Sequence, residues 1–123
     1  MTNLIIEGSN NTPSILLDFE NQSLTISGRS LPENAPLFYA SIFEWVKEYL
    51  DTANKEKATV FEFKLEYFNT SSSKVIYELL KLLAQLPSLE VHWYYETDDE
   101  DLLEAGEEFS ELIPATFKFI ETN

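Results

Sequence analysis

Ala58-Thr59-Val60-Phe61-Glu62-Phe63-Lys64-Leu65-Glu66-Tyr67-Phe68 is the stretch that decides the fold. Side chains alternate along a strand, so Phe61, Phe63, Leu65 and Tyr67 fall on one face and Glu62, Lys64 and Glu66 on the other. One face is therefore buried and the other meets water. A long strand with a charged outer face predicts a two-layer α/β domain, with helices on one side of the sheet only.

Downstream of it, Asn69-Thr70-Ser71-Ser72-Ser73 ends the strand and opens a helix to about Leu86, with Pro87 as its stop. Leu89–Tyr95 reads as the next strand. Thr97-Asp98-Asp99-Glu100 has capping-box spacing for a third helix, which carries Leu102, Leu103, Phe109, Leu112 and Ile113. Pro114 ends that helix, and Phe117–Ile120 forms a last strand. Upstream, Leu4–Ile6, Ser14–Phe19 and Ser23–Ser27 read as short strands. The last two form a hairpin about Glu20-Asn21-Gln22, closed by Gly28. A loop from Ser30 leads to a helix capped by Asn34, with Pro36 in its first turn, running to about Leu50. The apolar positions of that helix cover more than a narrow stripe. Tyr39 and Phe43 can serve either as core or as a docking face. The order β-β-β-α-β-α-β-α-β implies parallel pairings with right-handed crossovers and a mixed sheet of one domain, residues 1–123.

The 123 residues are 44% apolar and include nine Phe, six Tyr and two Trp, enough to fill a core. Eight basic residues against 22 acidic ones give a net charge of −14. That charge repels nucleic-acid phosphates and anionic lipid, so neither is expected as a partner. With no Cys and a single His, His92, thiol chemistry and His-pair metal sites are excluded within one chain. No stretch reaches the ~20 apolar residues of a membrane span, and the start of the chain lacks signal-peptide character, so a cytoplasmic protein is expected. The Asn-x-Ser/Thr triplets at Asn10, Asn21 and Asn69 are then chance matches.

Few residues invite chemistry. Asp98, Asp99, Glu100 and Asp101 are consecutive at a helix start, so they diverge rather than converge on a metal. They favour the positive end of the helix dipole instead. Glu62 and Glu66 share an open strand face, which lacks the cleft an acid/base pair needs. His92 lies among Trp93, Tyr94 and Tyr95 with no relay partner at a legible spacing. No phosphate-binding loop or nucleophile elbow is present. Neither a catalytic residue nor a cofactor is expected. The remaining feature is Thr70-Ser71-Ser72-Ser73, four hydroxyls at a strand-to-helix turn. Capping needs only one polar side chain, and here Asn69 is available as well. The surplus fits a phosphorylation or ligand site, since free N–H groups at a helix start favour an anion. The pattern alone leaves both readings open.

Tyr67-Phe68-Asn69-Thr70-Ser71-Ser72 resembles the Tyr-x-Asn-Thr-Ser-Ser signature of the SiaC-type bacterial regulatory phosphoproteins. Thr12-Pro13, Pro32-Glu33-Asn34, Trp45, Trp93, Tyr95, Asp99–Asp101 and Gly106-Glu107-Glu108-Phe109 follow the same family order, so the resemblance covers almost the whole chain. Where the family usually has an aromatic residue before Pro-Glu-Asn, this chain has Leu31. The resemblance implies a STAS-like fold and a non-enzymatic partner switch. It implies phosphorylation at Thr70 by a dedicated protein kinase and reversal by a metal-dependent Ser/Thr phosphatase. In the family's best-understood system, the unphosphorylated form activates a diguanylate cyclase. Tyr67, Asn69, Ser71, Ser72, Pro32, Glu33 and Asn34 would surround the switch. The alternatives are a small-molecule or anion sensor using the Asn69–Ser72 helix N-terminus, and a subunit that binds its partner constitutively.

Overall fold

A computed structural model describes Met1–Asn123. Six strands form one sheet in chain order: β1 (Leu4–Ile6), β2 (Ser14–Asp18), β3 (Ser23–Ser30), β4 (Thr59–Phe68), β5 (Leu89–Glu96) and β6 (Thr116–Thr122). β1–β2 and β2–β3 pair antiparallel, while β3, β4, β5 and β6 run parallel. The parallel connections are the helices α1 (Ala35–Thr52), α2 (Thr70–Leu83) and α3 (Glu100–Leu112).

The alternation in β4 gives the two layers. Phe61, Phe63 and Leu65 are buried, whereas Lys64 and Glu66 are exposed and Glu62 is half-buried. Inward residues of β2, β3, β4 and β5, with the helices and the turns after them, build a cluster of 25 buried apolar residues. Its aromatic centre is Phe63, Trp93 and Phe109, with Phe63–Trp93 and Trp93–Phe109 centroids 5.1 and 5.7 Å apart. The Trp93 indole N–H donates to the Leu102 carbonyl at 2.9 Å, so this ring is fixed as well as packed. No helix is long and apolar enough to cross a membrane.

Several expected details differ. β3 does not close at Gly28 but continues to Ser30, because Gly28 adopts φ +92° within the strand and pairing resumes beyond it. At this point Gly28 pairs with Leu65 and Arg29 with Tyr67, so β4 carries one extra residue. A one-residue slip inverts the facing of everything that follows. Tyr67 therefore leaves the face of Phe61, Phe63 and Leu65 and is 53% exposed, while Phe68 turns inward against Trp93 and Phe109. α2 ends at Leu83, and the chain turns before Pro87. Asp99, rather than Thr97, caps α3, accepting from the Leu102 N–H at 3.0 Å. Thr97 instead donates its hydroxyl to the Thr122 carbonyl. In α1, Tyr39 is buried and Phe43 half-buried, so both belong to the core side. The exposed apolar residue is Leu37, at 73%.

Two topological facts place the site. Adjacent parallel strands β3 and β4 end at the same edge, so the helices that follow them start side by side. The β4–β5 ladder stops at Phe63 opposite Trp93, although β3–β4 pairing runs on to Phe68 and β5–β6 pairing to Thr122. Beyond Phe63 and Trp93, β4 and β5 have no ladder between them.

Candidate functional site

The Asn-Thr-Ser-Ser run lies where β4 turns into α2. Asn69 is extended and caps the helix: its side-chain oxygen accepts from the Ser72 N–H at 2.9 Å and from the Ser71 hydroxyl at 3.1 Å. A single residue thus satisfies the cap, as its chemistry predicts. The hydroxyls that follow have three different fates. Thr70, the first helical residue, is exposed, and none of the hydrogen bonds around the motif uses its hydroxyl. Ser71 is exposed and engaged with Asn69. Ser72 is fully buried.

Ser72 is held in a chain of hydroxyls. The Ser30 hydroxyl donates to Ser72 Oγ at 2.8 Å, and Ser72 returns its own proton to the Ser30 carbonyl at 3.1 Å. A hydroxyl has one proton, so in the 2.7 Å contact between Ser30 and Tyr39 it is the phenol that donates. Burial pushes the Tyr39 phenol up to about 12, against a smaller lowering by the Ser30 hydrogen bond, so it stays a donor at neutral pH. The Ser30 carbonyl also accepts the Asn69 N–H at 3.1 Å. Three elements are thereby pinned at one point: α1 through Tyr39, the end of β3 through Ser30, and the first turn of α2 through Ser72. The site rests on this fully satisfied polar core.

Pro32 is buried, and Glu33 and Asn34 are exposed beside this turn, because the loop that carries them leaves β3 directly after Ser30. Asn34 caps α1, accepting from the Leu37 N–H at 3.1 Å. Two helix N-termini thus meet at one edge, and neither has an acidic residue in its first turn. α3, by contrast, has Glu100 and Asp101 there. In a chain of net charge −14, the Thr70 end of α2 has kept its helix dipole unneutralised. Lys74 lies one turn on from Thr70, at the i+4 spacing that brings opposite charges together, and is exposed. Tyr67 is on the open face of the sheet beside Arg29, apart from the hydroxyl chain. A groove of about 410 Å³ between α2 and α3 begins at Ser73 and Lys74 and is floored by Tyr77, Ala105 and Phe109. Thr70 does not line it but lies three residues, about one turn of α2, before Ser73.

Sequence reasoning placed Thr70, Asn69 and Asn34 on their helix ends but missed Ser30 and Tyr39. The sequence places Ser30 in a loop and leaves Tyr39 as either core or docking face; only the pairing of β3 with β4 beyond Gly28 brings the two together. The other charged groups show no catalytic arrangement. Glu90 is held below the usual carboxylate range by hydrogen bonds from His92 at 3.1 Å and Lys118 at 3.0 Å. His92 is thus committed to a surface hydrogen bond with Glu90. No group of three or more His, Asp or Glu side chains converges as metal ligands would.

The chain is similar to known proteins over almost its whole length. A family model described as SiaC family regulatory phosphoprotein matches residues 6–122. An uncharacterized protein of Pseudomonas aeruginosa is 31% identical over 115 residues, covering 90% of each chain. Crystalline apo-SiaC from the same organism superposes with a TM-score of 0.87 at 29% identity, over 98% of this chain and 99% of that one. A chain in the crystal structure of the diguanylate cyclase SiaD in complex with its activator SiaC gives 0.89 at 28% identity, over 97% and 99%.

Proposed function

The chain belongs to the SiaC family of regulatory phosphoproteins, and on that premise we propose that it is a non-enzymatic partner switch whose binding to a target is gated by phosphorylation of Thr70. The observation that carries the reading is the sorting of the hydroxyls. Thr70 is free and exposed at an unneutralised helix N-terminus, while Ser72 is sealed in the core. A protein kinase reaches the first and cannot reach the last without unfolding the turn.

The phosphate would add about −1.5 to −2 charges. The fold tolerates it, because the α2 dipole and Lys74 both favour an anion at that position. Target binding does not. A dianion a turn ahead of the α2–α3 groove must lose its hydration to be covered, and an acidic partner surface repels it. A metal-dependent Ser/Thr phosphatase would restore the binding form. A precedent for the target is a diguanylate cyclase, since a structural relative is the activator of one. A cycle driven by phosphoryl transfer from ATP would run in the cytoplasm. Asn69, Ser71 and the Pro32–Asn34 loop would form the rim that kinase and target share, with Ser72 holding it from beneath and Tyr67 lying apart on the open face of the sheet.

Titration of a diguanylate cyclase partner with phosphorylated and unphosphorylated protein tests the reading. Phosphorylation should weaken binding at least about a hundredfold, equivalent to ~3 kcal/mol. Thr70→Ala should bind like the wild type and escape the kinase. Equal affinities of the two forms, or Thr70→Ala still modified to full stoichiometry on Ser71, would refute the mechanism or the residue. The anion-sensor alternative draws on the same helix N-terminus; it requires millimolar inorganic phosphate to raise Tm, and an unchanged Tm rejects it.

A further inference from the structure

We propose that the fork between β4 and β5 is a second binding site, which receives the C-terminal end of an extended peptide. Four observations carry it. The β4–β5 ladder ends at Phe63 opposite Trp93, so the facing edges of Lys64–Phe68 and Tyr94–Glu96 have no strand between them, although both strands remain paired on their other sides. A cavity of about 540 Å³ opens in this gap, at the carboxyl ends of the parallel strands. That is ligand-sized, and carboxyl ends of parallel strands are where α/β sheets commonly bind ligands. Lys64 stands next to the apex with its ammonium 4.9 Å from the Tyr94 ring centroid and with no carboxylate partner, since the chain's ion pairs involve only Glu90 with His92 and Lys118. Finally, the mouth is acidic on balance: Glu66, Glu96 and Asp99 line it against a single cation there, Arg29.

The occupant follows from this layout. Edges of two strands offer alternating donors and acceptors, which an extended backbone satisfies by strand addition. The apex is closed by the Phe63–Trp93 pairing, so a chain end fits where a through-running strand would not. Entering from the mouth, a peptide runs antiparallel to both β4 and β5 and brings its terminal carboxylate to Lys64, which is otherwise unpaired. Lys64 and Glu66 are two residues apart, roughly 7 Å along a strand. A basic side chain about two residues before the ligand's C-terminus therefore meets the acidic mouth. Tyr67 and Tyr94 supply the apolar walls on the open face, giving Tyr67 a role that the hydroxyl chain does not.

The probe is acetylated Thr-Lys-Thr-Val with a free carboxylate, titrated into the ¹⁵N-labelled full chain and followed by amide shifts. Shifts should concentrate at Lys64–Phe68 and Tyr94–Glu96. C-terminal amidation of the probe, or Lys64→Met in the protein, should each weaken binding about tenfold or more, and Glu96→Gln should weaken it less. Lys64 is exposed, so the variant's spectrum away from the fork should be unchanged. Absence of localised shifts at millimolar peptide overturns the proposal. So does equal binding of the amidated probe, or reproduction of the same shifts by free valine, which would make this a small-zwitterion site.

Discussion

Ser30→Ala removes one oxygen from the chain of hydroxyls beneath Thr70 and tests whether that chain holds the site. The change leaves almost no cavity, so its cost is polar. The Tyr39 phenol, fully buried, loses its acceptor, and an orphaned buried donor costs about 1–3 kcal/mol. Ser72 loses the proton donated to it but keeps its own bond to the Ser30 carbonyl, a smaller loss of about 1 kcal/mol or less. Together these give about 1–4 kcal/mol. Tyr39→Phe should cost only ~1 kcal/mol, because Ser30 still donates to Ser72. In the double variant no phenol remains to be orphaned, so the combined loss should fall short of the sum by ~1–2 kcal/mol. The assay is urea unfolding of the four proteins, with amide exchange at Ser72 and Ser73 reporting a loosened first turn of α2. Strict additivity, or Ser30→Ala within ~0.5 kcal/mol of wild type, would show that the three hydroxyls do not act as a unit. A pH series adds an independent check. The Tyr39 phenol is raised from 10.0 to about 12 in the folded chain. Its contribution is present below pH 10 and lost as pH rises toward 12, so Tyr39→Phe should lose less stability than the wild type across that window.

Gly106→Ala should destabilise the protein by about 1–3 kcal/mol, as seen by a lower Tm. An added Cβ would lie 2.6 Å from the Trp93 ring, which is pinned by Leu102, Phe63 and Phe109 and cannot yield, and this outweighs the ~1 kcal/mol gain in helix propensity. Glu90→Gln should cost no more than ~1 kcal/mol at neutral pH, because the cluster with His92 and Lys118 is near the surface. The Glu90 carboxyl is lowered from 4.5 in the folded chain, so that stabilisation is present above 4.5 and fades as pH falls through the lowered value. Wild type and variant should converge in acid unfolding, and a difference that persists there would contradict the assignment.

The sequence by itself determined what local pattern can determine. Alternation in β4 set a sheet with one wet face, and the side chains of Asn34 and Asn69 marked two helix starts, because a cap acts on an N–H only three residues away. The Asn-Thr-Ser-Ser run was legible as a helix start with more hydroxyls than a cap requires. Which hydroxyl is free was not. The buried Ser72 hydroxyl bonds to Ser30, 42 residues distant. The exposure of Tyr67 has the same origin: the extra residue opposite Gly28 exists only once β3 and β4 are paired, and it reverses the parity that the alternation had assigned. Asp99 displaced Thr97 as a cap because Thr97 is drawn to the carbonyl of Thr122, 25 residues away on β6. The fork belongs to this class too, since no residue of β4 or β5 announces where their ladder stops. Side-chain parity and capping are decided within a few bonds along the chain; burial, register and the gaps between strands are decided by which distant segment arrives beside them.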